Sequence, residues 1–371
     1  MHKRFALSIL QKCGQRPEAI IAGFMFATAA LSMWISNTAT TIMMMAIAMS
    51  ITEFLNQNIK NPNNVLPLNK ALMLSIAYAA SIGGTATLIG TPPNLFFASF
   101  LEDQYNITID MLSWMKIGVP FMLIMLPTAW FWLTHVCYKV KSIELPNIQD
   151  VLKKESASFK KMSLSELSVV AIFVLTATLW IFKLKINTTL GWSLSDADIA
   201  LFSAMLLFCL PASLSKKSFL LDWKTAQEIP WGILLMFGGG LSVALSFSAT
   251  GLTETLANSF TSLSSLAPLL FLASLVLFSL FLTELVTNSA AIATLLPITA
   301  AICLTTGLDF LYLAIPITLA CSCAFMFPIS TPPNAIVFAF KGLRIKDMVK
   351  AGSVLNLITV VIITILASIM L

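Results

Sequence analysis

Two long, mostly apolar runs are each interrupted by a polar word: SNTATT at 36–41 within 19–51, and TNSAA at 287–291 within 266–304. Roughly 20 apolar residues cross a bilayer as an α-helix, so each run is too long for one crossing. Each predicts two half-helices that meet at a polar apex, a re-entrant hairpin. Unbroken spans are predicted over 117–138, 166–184, 196–213, 230–248 and 350–371. Two further spans, 71–100 and 309–340, break at nearly the same words, GGTATLIGTPPN at 83–94 and FPISTPPN at 327–334. Paired prolines remove backbone N–H groups and cannot continue a helix, so both spans must unwind there.

Composition agrees with the pattern. Of 371 residues 58% are hydrophobic and 11% charged, with mean hydropathy +0.89. A soluble domain carries about 25% charged residues, so this chain cannot cover a water-facing surface and reads as an all-α integral membrane protein. Its net charge of +5 is then a topology signal, with no nucleic-acid partner implied. Six cysteines lie mostly within apolar runs without metal-ligand spacing and read as small core residues. His135 and Cys137, near one end of a span, read as interfacial packing.

The basic residues orient the layout. With hairpin 19–51 entering from the cytoplasm, the cytoplasmic segments are 1–17, 52–70, 139–161, 214–229 and 341–350. These hold nineteen of the 22 Lys and Arg residues; Lys116, Lys183 and Lys185 fall outside them. That asymmetry supports the orientation, places the C-terminus outside the plasma (inner) membrane, and sends hairpin 266–304 in from the outside.

The two halves repeat one order of elements. SNTA at 36–39 answers TNSA at 287–290, TPPN at 91–94 answers TPPN at 331–334, and Gly118 answers Gly352. Hairpin, broken span and unbroken span thus recur from opposite faces, an inverted-topology repeat of the kind found in secondary transporters. The first repeat is read as 1–138, a cytoplasmic linker as 139–165, and the second repeat as 166–371. Aligning Asn37 with Asn288 leaves spans 166–184, 196–213 and 230–248 without counterparts. The expectation drawn from this is that the chain is N-terminally truncated, with its activity as written in doubt.

Half-helix tips at membrane depth leave unpaired N–H or C=O groups, tolerated where they line a water-filled cavity or hold a ligand. Carbonyls and hydroxyls suit a hard cation such as Na+, helix N-termini suit a carboxylate, and asparagine can serve both. Neither apex contains Lys or Arg. Anion charge must then be met by dipoles, hydroxyls and co-bound cations, which couples anion entry to cation entry. Glu284, three residues before Thr287, is a functional suspect as an ionisable group within a hairpin. A structural partner for a helix end, or a protonated carboxyl facing the cavity, is an equal alternative, and Glu284 stays outside the core site.

SNTATT, GGTATLIGTPPN, the second hairpin word TNSA and STPPNAIVFAF closely resemble the divalent anion:sodium symporters, bacterial Na+/dicarboxylate members above all. The resemblance runs over essentially the whole chain. It implies an elevator-type transporter, a homodimer in full-length form, that moves a scaffold-supported transport domain and carries dicarboxylate with co-transported Na+ and no organic cofactor. Carried over by position, one sodium site takes Ser32, Ser36, Asn37 and Gly90. Its partner takes Thr283, Val286, Asn288 and Ser330, with Val286 and Ser330 contributing backbone carbonyls. Substrate carboxylates meet Asn37 and Thr38 on one tip and Asn288 and Ser289 on the other, above Thr331 and Pro332. The family's second word is usually SNT, and TNS here moves a methyl away from Ser289, which bears on substrate preference. The implied substrates are C4-dicarboxylates such as succinate, malate and fumarate. Alternatives are a related citrate, sulfate or arsenite permease, or an inactive truncated remnant. No HExxH, GxSG serine or pair of membrane-depth aspartates supports an enzyme.

Overall fold

The computed structural model describes residues 2–14, 16–58, 62–140, 162–213, 218–228 and 267–370, with Leu152 and isolated positions between 231 and 255. Most of the span expected at 230–248 and most of the linker at 139–165 lie outside the described residues.

Helix boundaries follow the caps written in the sequence. Helix α1 (His2–Lys12) covers the basic N-terminal segment and packs on α2 (Pro17–Ser32), which starts with proline in its first turn, where no N–H is needed. After a turn at 33–36 comes α3 (Asn37–Asn58), then α4 (Pro62–Gly84), a break at 85–91, and α5 (Pro92–Tyr105). Asp110 caps α6 (Met111–Phe131) by accepting from Ser113 N at 3.3 Å, and α6 runs on as a π-turn over Trp132–Cys137. Capping boxes at Ser163/Glu166 and Ser195/Asp198 open α7 (Leu164–Leu190) and α8 (Asp196–Cys209).

The span read as 196–213 ends early, because Pro211 cannot extend α8. It opens instead a short antiparallel ribbon, β1 (Pro211–Ser213) with β2 (Ser218–Phe219), before the single-turn α9 (Trp223–Ala226). The second half then runs α10 (Pro268–Leu285), α11 (Asn288–Thr306), α12 (Phe310–Cys321), a break at 322–331, α13 (Pro332–Phe338) and α14 (Ile345–Met370).

Among the described residues seven helices are long and apolar enough to cross a membrane. The apolar window of α4 is 83% buried and that of α7 only 11%, so α4 forms the centre and α7 turns a broad greasy surface outward. Leu164, Val174 and Phe182 are among the exposed side chains of α7. In a membrane protein such a face suits lipid.

Packing interlocks the halves. Helices α2 and α3 lie on α4, and α10 and α11 lie on α12. The short proline-headed helices cross over: α13 packs on α3 and α4, while α5 packs on α11 and α12. Each helix following a TPPN word therefore rests on the helix pair of the other half. Tyr78, Trp114, Phe121, Phe271 and Phe325 fill the centre, with Tyr78 and Phe325 edge-to-face at 4.9 Å. Lys70 on α4 and Asp347 on α14 close one end with an ion pair at 2.9 Å.

Candidate functional site

The first tip is the α2–α3 turn. Backbone bonds from Trp34 N and Ile35 N to Leu31 O finish α2, and Ser36 begins α3 by accepting Ala39 N on its hydroxyl at 3.3 Å. Ser36 is exposed and spends its side chain on this cap, while Asn37 and Thr38 are half-buried. Ser32 is fully buried, and its hydroxyl donates to Ala80 O at 2.8 Å.

The Asn37 amide lies between Ser32 Oγ at 2.6 Å, Ala80 O at 3.1 Å and Gly90 O at 3.2 Å, and turning Nδ2 toward these acceptors points its two protons into this trio of oxygens. Three oxygens from three segments thus converge on one amide: α2 supplies a hydroxyl, α4 a carbonyl, and the break at 85–91 another carbonyl. Gly84 makes this approach possible, since any Cβ there would collide with the Asn37 amide.

The break itself is held by the asparagine of TPPN. Asn94 Nδ2 donates to Gly84 O at 3.4 Å, Thr85 O at 3.3 Å and Thr87 O at 2.8 Å, occupying carbonyls that the end of α4 leaves open. Trp114 Nε1 donates to Thr85 O at 2.9 Å, and the Thr87 hydroxyl donates to Met33 O, tying the loop to the tip of α2.

The second tip repeats the plan. Thr287 caps α11, its hydroxyl accepting Ala290 N at 3.4 Å, and α11 begins at Asn288. The hydroxyl of buried Thr283 lies 2.8 Å from both Asn288 Oδ1 and Cys321 O, with one proton to share between them. Asn334 Nδ2 donates to Ala324 O and Phe327 O, both at 3.0 Å, as Asn94 does in the first half. The α6 and α14 helices press equally closely on the two breaks. A Cβ at Gly118 would lie 2.5 Å from Thr85 O, and one at Gly352 would collide with Phe325 O.

Of the residues singled out from sequence, Ser32, Asn37 and Gly90 come together, as do Thr283 and Asn288. Ser289 and Thr331 are buried, with the Thr331 hydroxyl accepting Asn334 N at 3.2 Å; Pro332 and Val286 are exposed. The Ser330 hydroxyl lies against Glu284, 2.9 Å from its backbone O and 2.6 Å from Oε2. Sequence reading passed over Asn94, Asn334 and Gly84, although an asparagine after both proline pairs was a visible signal. It also left Glu284 aside, yet four N–H groups and the Ser330 hydroxyl reach its side-chain oxygens. Chemically, each tip offers neutral oxygens suited to a small hard cation, beside a helix N-terminus suited to an anion.

Comparison with known proteins agrees in kind. The family described as the sodium:sulfate symporter transmembrane region matches over residues 1–370. A sodium-dependent dicarboxylate transporter, SdcS, of Staphylococcus saprophyticus is 36% identical over 370 residues, covering 98% of this chain and 71% of the relative. The transporter of the same description from Staphylococcus aureus strain USA300 is 37% identical over the same coverage.

Proposed function

The chain belongs to the sodium:sulfate symporter family, and from that premise we propose that it is a symporter coupling inward Na+ movement to uptake of C4-dicarboxylates such as succinate, malate or fumarate. The observation that carries this reading is the matched pair of tips. At each, an asparagine opening a helix meets a buried hydroxyl, Ser32 or Thr283, and that hydroxyl donates to a carbonyl at the end of a broken span. The identity to sodium-dependent dicarboxylate transporters selects dicarboxylate over sulfate as substrate.

In this reading Ser32, Ser36, Asn37 and Gly90 hold one Na+, and Thr283, Val286, Asn288 and Ser330 hold a second. The two cations and the N-termini of α3 and α11 offset the charge of a dianion that no Lys or Arg meets. Asn37, Thr38, Asn288 and Ser289 bind its carboxylates, with Thr331 and Pro332 beneath. The two re-entrant hairpins, related by an inverted repeat, carry substrate by elevator motion within a homodimer. The first hairpin enters from the cytoplasmic side of the plasma membrane, and the C-terminus lies outside. The parallel bonding of Asn94 and Asn334, and the crossed packing of α5 and α13, support the repeat.

Proteoliposomes containing the chain, given labelled succinate, test the function. An inward sodium gradient should drive accumulation that an equal choline gradient does not; equal uptake in both would refute sodium coupling.

A further inference from the structure

The two tips differ in one respect that the repeat does not explain. Glu284 follows Thr283 directly, whereas Met33 follows Ser32. Glu284 is 1% exposed. Its Oε1 takes Phe325 N at 2.6 Å, Met326 N at 2.8 Å and Asn356 Nδ2 at 2.8 Å, and its Oε2 takes Phe327 N at 3.1 Å and Ser330 Oγ at 2.6 Å. The four N–H partners are donors and none is a Lys or Arg, so both oxygens act as acceptors, an arrangement that suits a carboxylate. Burying a carboxylate without a cation is costly, and four N–H hydrogen bonds with a close serine hydroxyl are the compensation the fold provides.

What this carboxylate joins is specific. Three consecutive N–H groups belong to the break at 322–331, Ser330 sits at the end of that break, Asn356 is on α14, and Glu284 itself stands at the tip of α10. The corresponding loop of the first half is held by neutral groups, with the Thr87 hydroxyl on the Met33 carbonyl. One loop is thus pinned by an acidic side chain beside a proposed cation site, and the other is not.

We propose that Glu284 is a positioning residue for the second sodium site, holding the 325–330 loop and α14 against Thr283 and giving that site a tighter grip on Na+ than the first. The carboxylate touches neither cation nor substrate. It fixes the loop from which the Ser330 carbonyl reaches the site, and its charge favours a cation nearby. The sodium part of the argument rests on the symporter reading; the loop-holding part does not. Removing the charge while keeping the shape, Glu284→Gln, should raise the sodium concentration for half-maximal succinate uptake by about tenfold, the scale of a lost charge-assisted hydrogen-bond set. The succinate half-saturation measured at saturating sodium should stay within about twofold, since the substrate contacts remain. Asn356→Leu removes one donor and should shift sodium half-saturation in the same direction by about threefold.

A second readout is independent of transport. Cys323 is fully buried in the same break, so a membrane-permeant maleimide, with the modified cysteine located by mass spectrometry, reports whether the loop is held. Glu284→Gln and Asn356→Leu should both speed labelling of Cys323 in sodium-free membranes. Unaltered sodium half-saturation in Glu284→Gln would overturn the proposal, as would unaltered Cys323 labelling in both variants. If the unaltered protein takes up succinate equally in choline, it is the symporter reading that falls, and labelling alone judges Glu284. If Glu284→Gln does not fold, Asn356→Leu decides by the same two measurements.

Discussion

Asn37 and Asn288 stand in the same relation to their surroundings: each opens a helix and meets the hydroxyl of the residue five positions earlier, Ser32 at 2.6 Å and Thr283 at 2.8 Å. In both cases that hydroxyl also donates to a carbonyl of the neighbouring broken span, Ala80 or Cys321, at 2.8 Å. On each side this hydroxyl is one of the links between tip and broken span, so removing the amide disturbs both. Asn37→Ala and Asn288→Ala should each lower sodium-driven succinate uptake by at least about tenfold, the effect of leaving a buried hydroxyl and carbonyls without their partner. Protein recovery from the membrane should hold. Uptake against a sodium gradient, normalised to transporter content, is the measurement; near-normal uptake in the double variant would remove these residues from the site.

Gly84 is the steric condition for that arrangement. Its missing Cβ is the space into which the Asn37 amide fits, and the neighbour is a side chain that can move. Gly118 and Gly352 instead face backbone, Thr85 O and Phe325 O, which cannot move without shifting the breaks. Gly84→Ala should therefore abolish sodium-driven uptake while leaving a monodisperse protein. Gly118→Ala and Gly352→Ala should lower the melting temperature in detergent, with overpacking costs of about 1–3 kcal/mol. Size-exclusion profiles across a temperature series separate the two classes, and equal destabilisation in all three would contradict the distinction.

The places where the chain must stop being helical were open to inspection in the sequence, because proline pairs and polar words inside apolar runs have no other physical accommodation. Hence the helix ends at Ser32, Gly84, Leu285 and Cys321 fall beside the words that predicted interruption. What local pattern could not show was which segments meet. The crossing of α5 onto α11 and of α13 onto α3 joins residues far apart in the chain, and no periodicity encodes it. Glu284 illustrates the same limit. A lone acid in a hairpin looks identical in sequence whether it binds a cation, carries a proton or holds a loop, and only the folded chain shows the loop N–H groups that reach it. Ser330 differs in another way: its position in the motif was visible, but the direction of its hydroxyl, toward Glu284, was not.

The asparagines of the two TPPN words should prove structural. Asn94 and Asn334 are fully buried, and their amide nitrogens occupy carbonyls exposed by the unwound spans. Asn94→Leu or Asn334→Leu would remove a buried donor from those carbonyls and leave Gly84 O or Ala324 O without the amide, costing about 1–3 kcal/mol each. Thermal melts of purified protein should show both variants less stable than the parent in the absence of sodium and substrate. A melt unchanged by either substitution would mean that water or another donor takes the place of the amide.

Lys70 and Asp347 join α4 to α14 across the halves with side chains 15% and 17% exposed, and Asp347 Oδ2 also accepts Arg344 N at 3.0 Å. Partial burial makes the pair stronger than a surface ion pair but leaves each charge some water. Lys70→Met alone should destabilise more than the exchange Lys70→Asp with Asp347→Lys, and the coupling from a double-mutant cycle should be on the order of 1 kcal/mol. High salt should reduce it. Coupling indistinguishable from zero at low salt would show that the contact adds nothing to the joining of the halves.

Substrate choice should be adjustable at Ser289, which is buried at the start of α11 and next to Asn288. The hydroxyl is retained by Ser289→Thr, so hydrogen bonding to a carboxylate survives, but a methyl enters the space beside the tip. In the proposed dicarboxylate site, one methyl should change discrimination by about tenfold or more where it cannot be accommodated. The reciprocal substitution Thr38→Ser removes a methyl from the opposite tip and enlarges the space. Ser289→Thr should weaken competition by the larger tricarboxylate citrate more than competition by succinate, and Thr38→Ser should do the reverse. Inhibition of labelled succinate uptake by unlabelled citrate, malate and sulfate gives the ratios directly. If the order of competitors is the same in both variants as in the parent, Thr38 and Ser289 do not face the substrate, and the carboxylates must be held by the asparagines and helix N-termini alone.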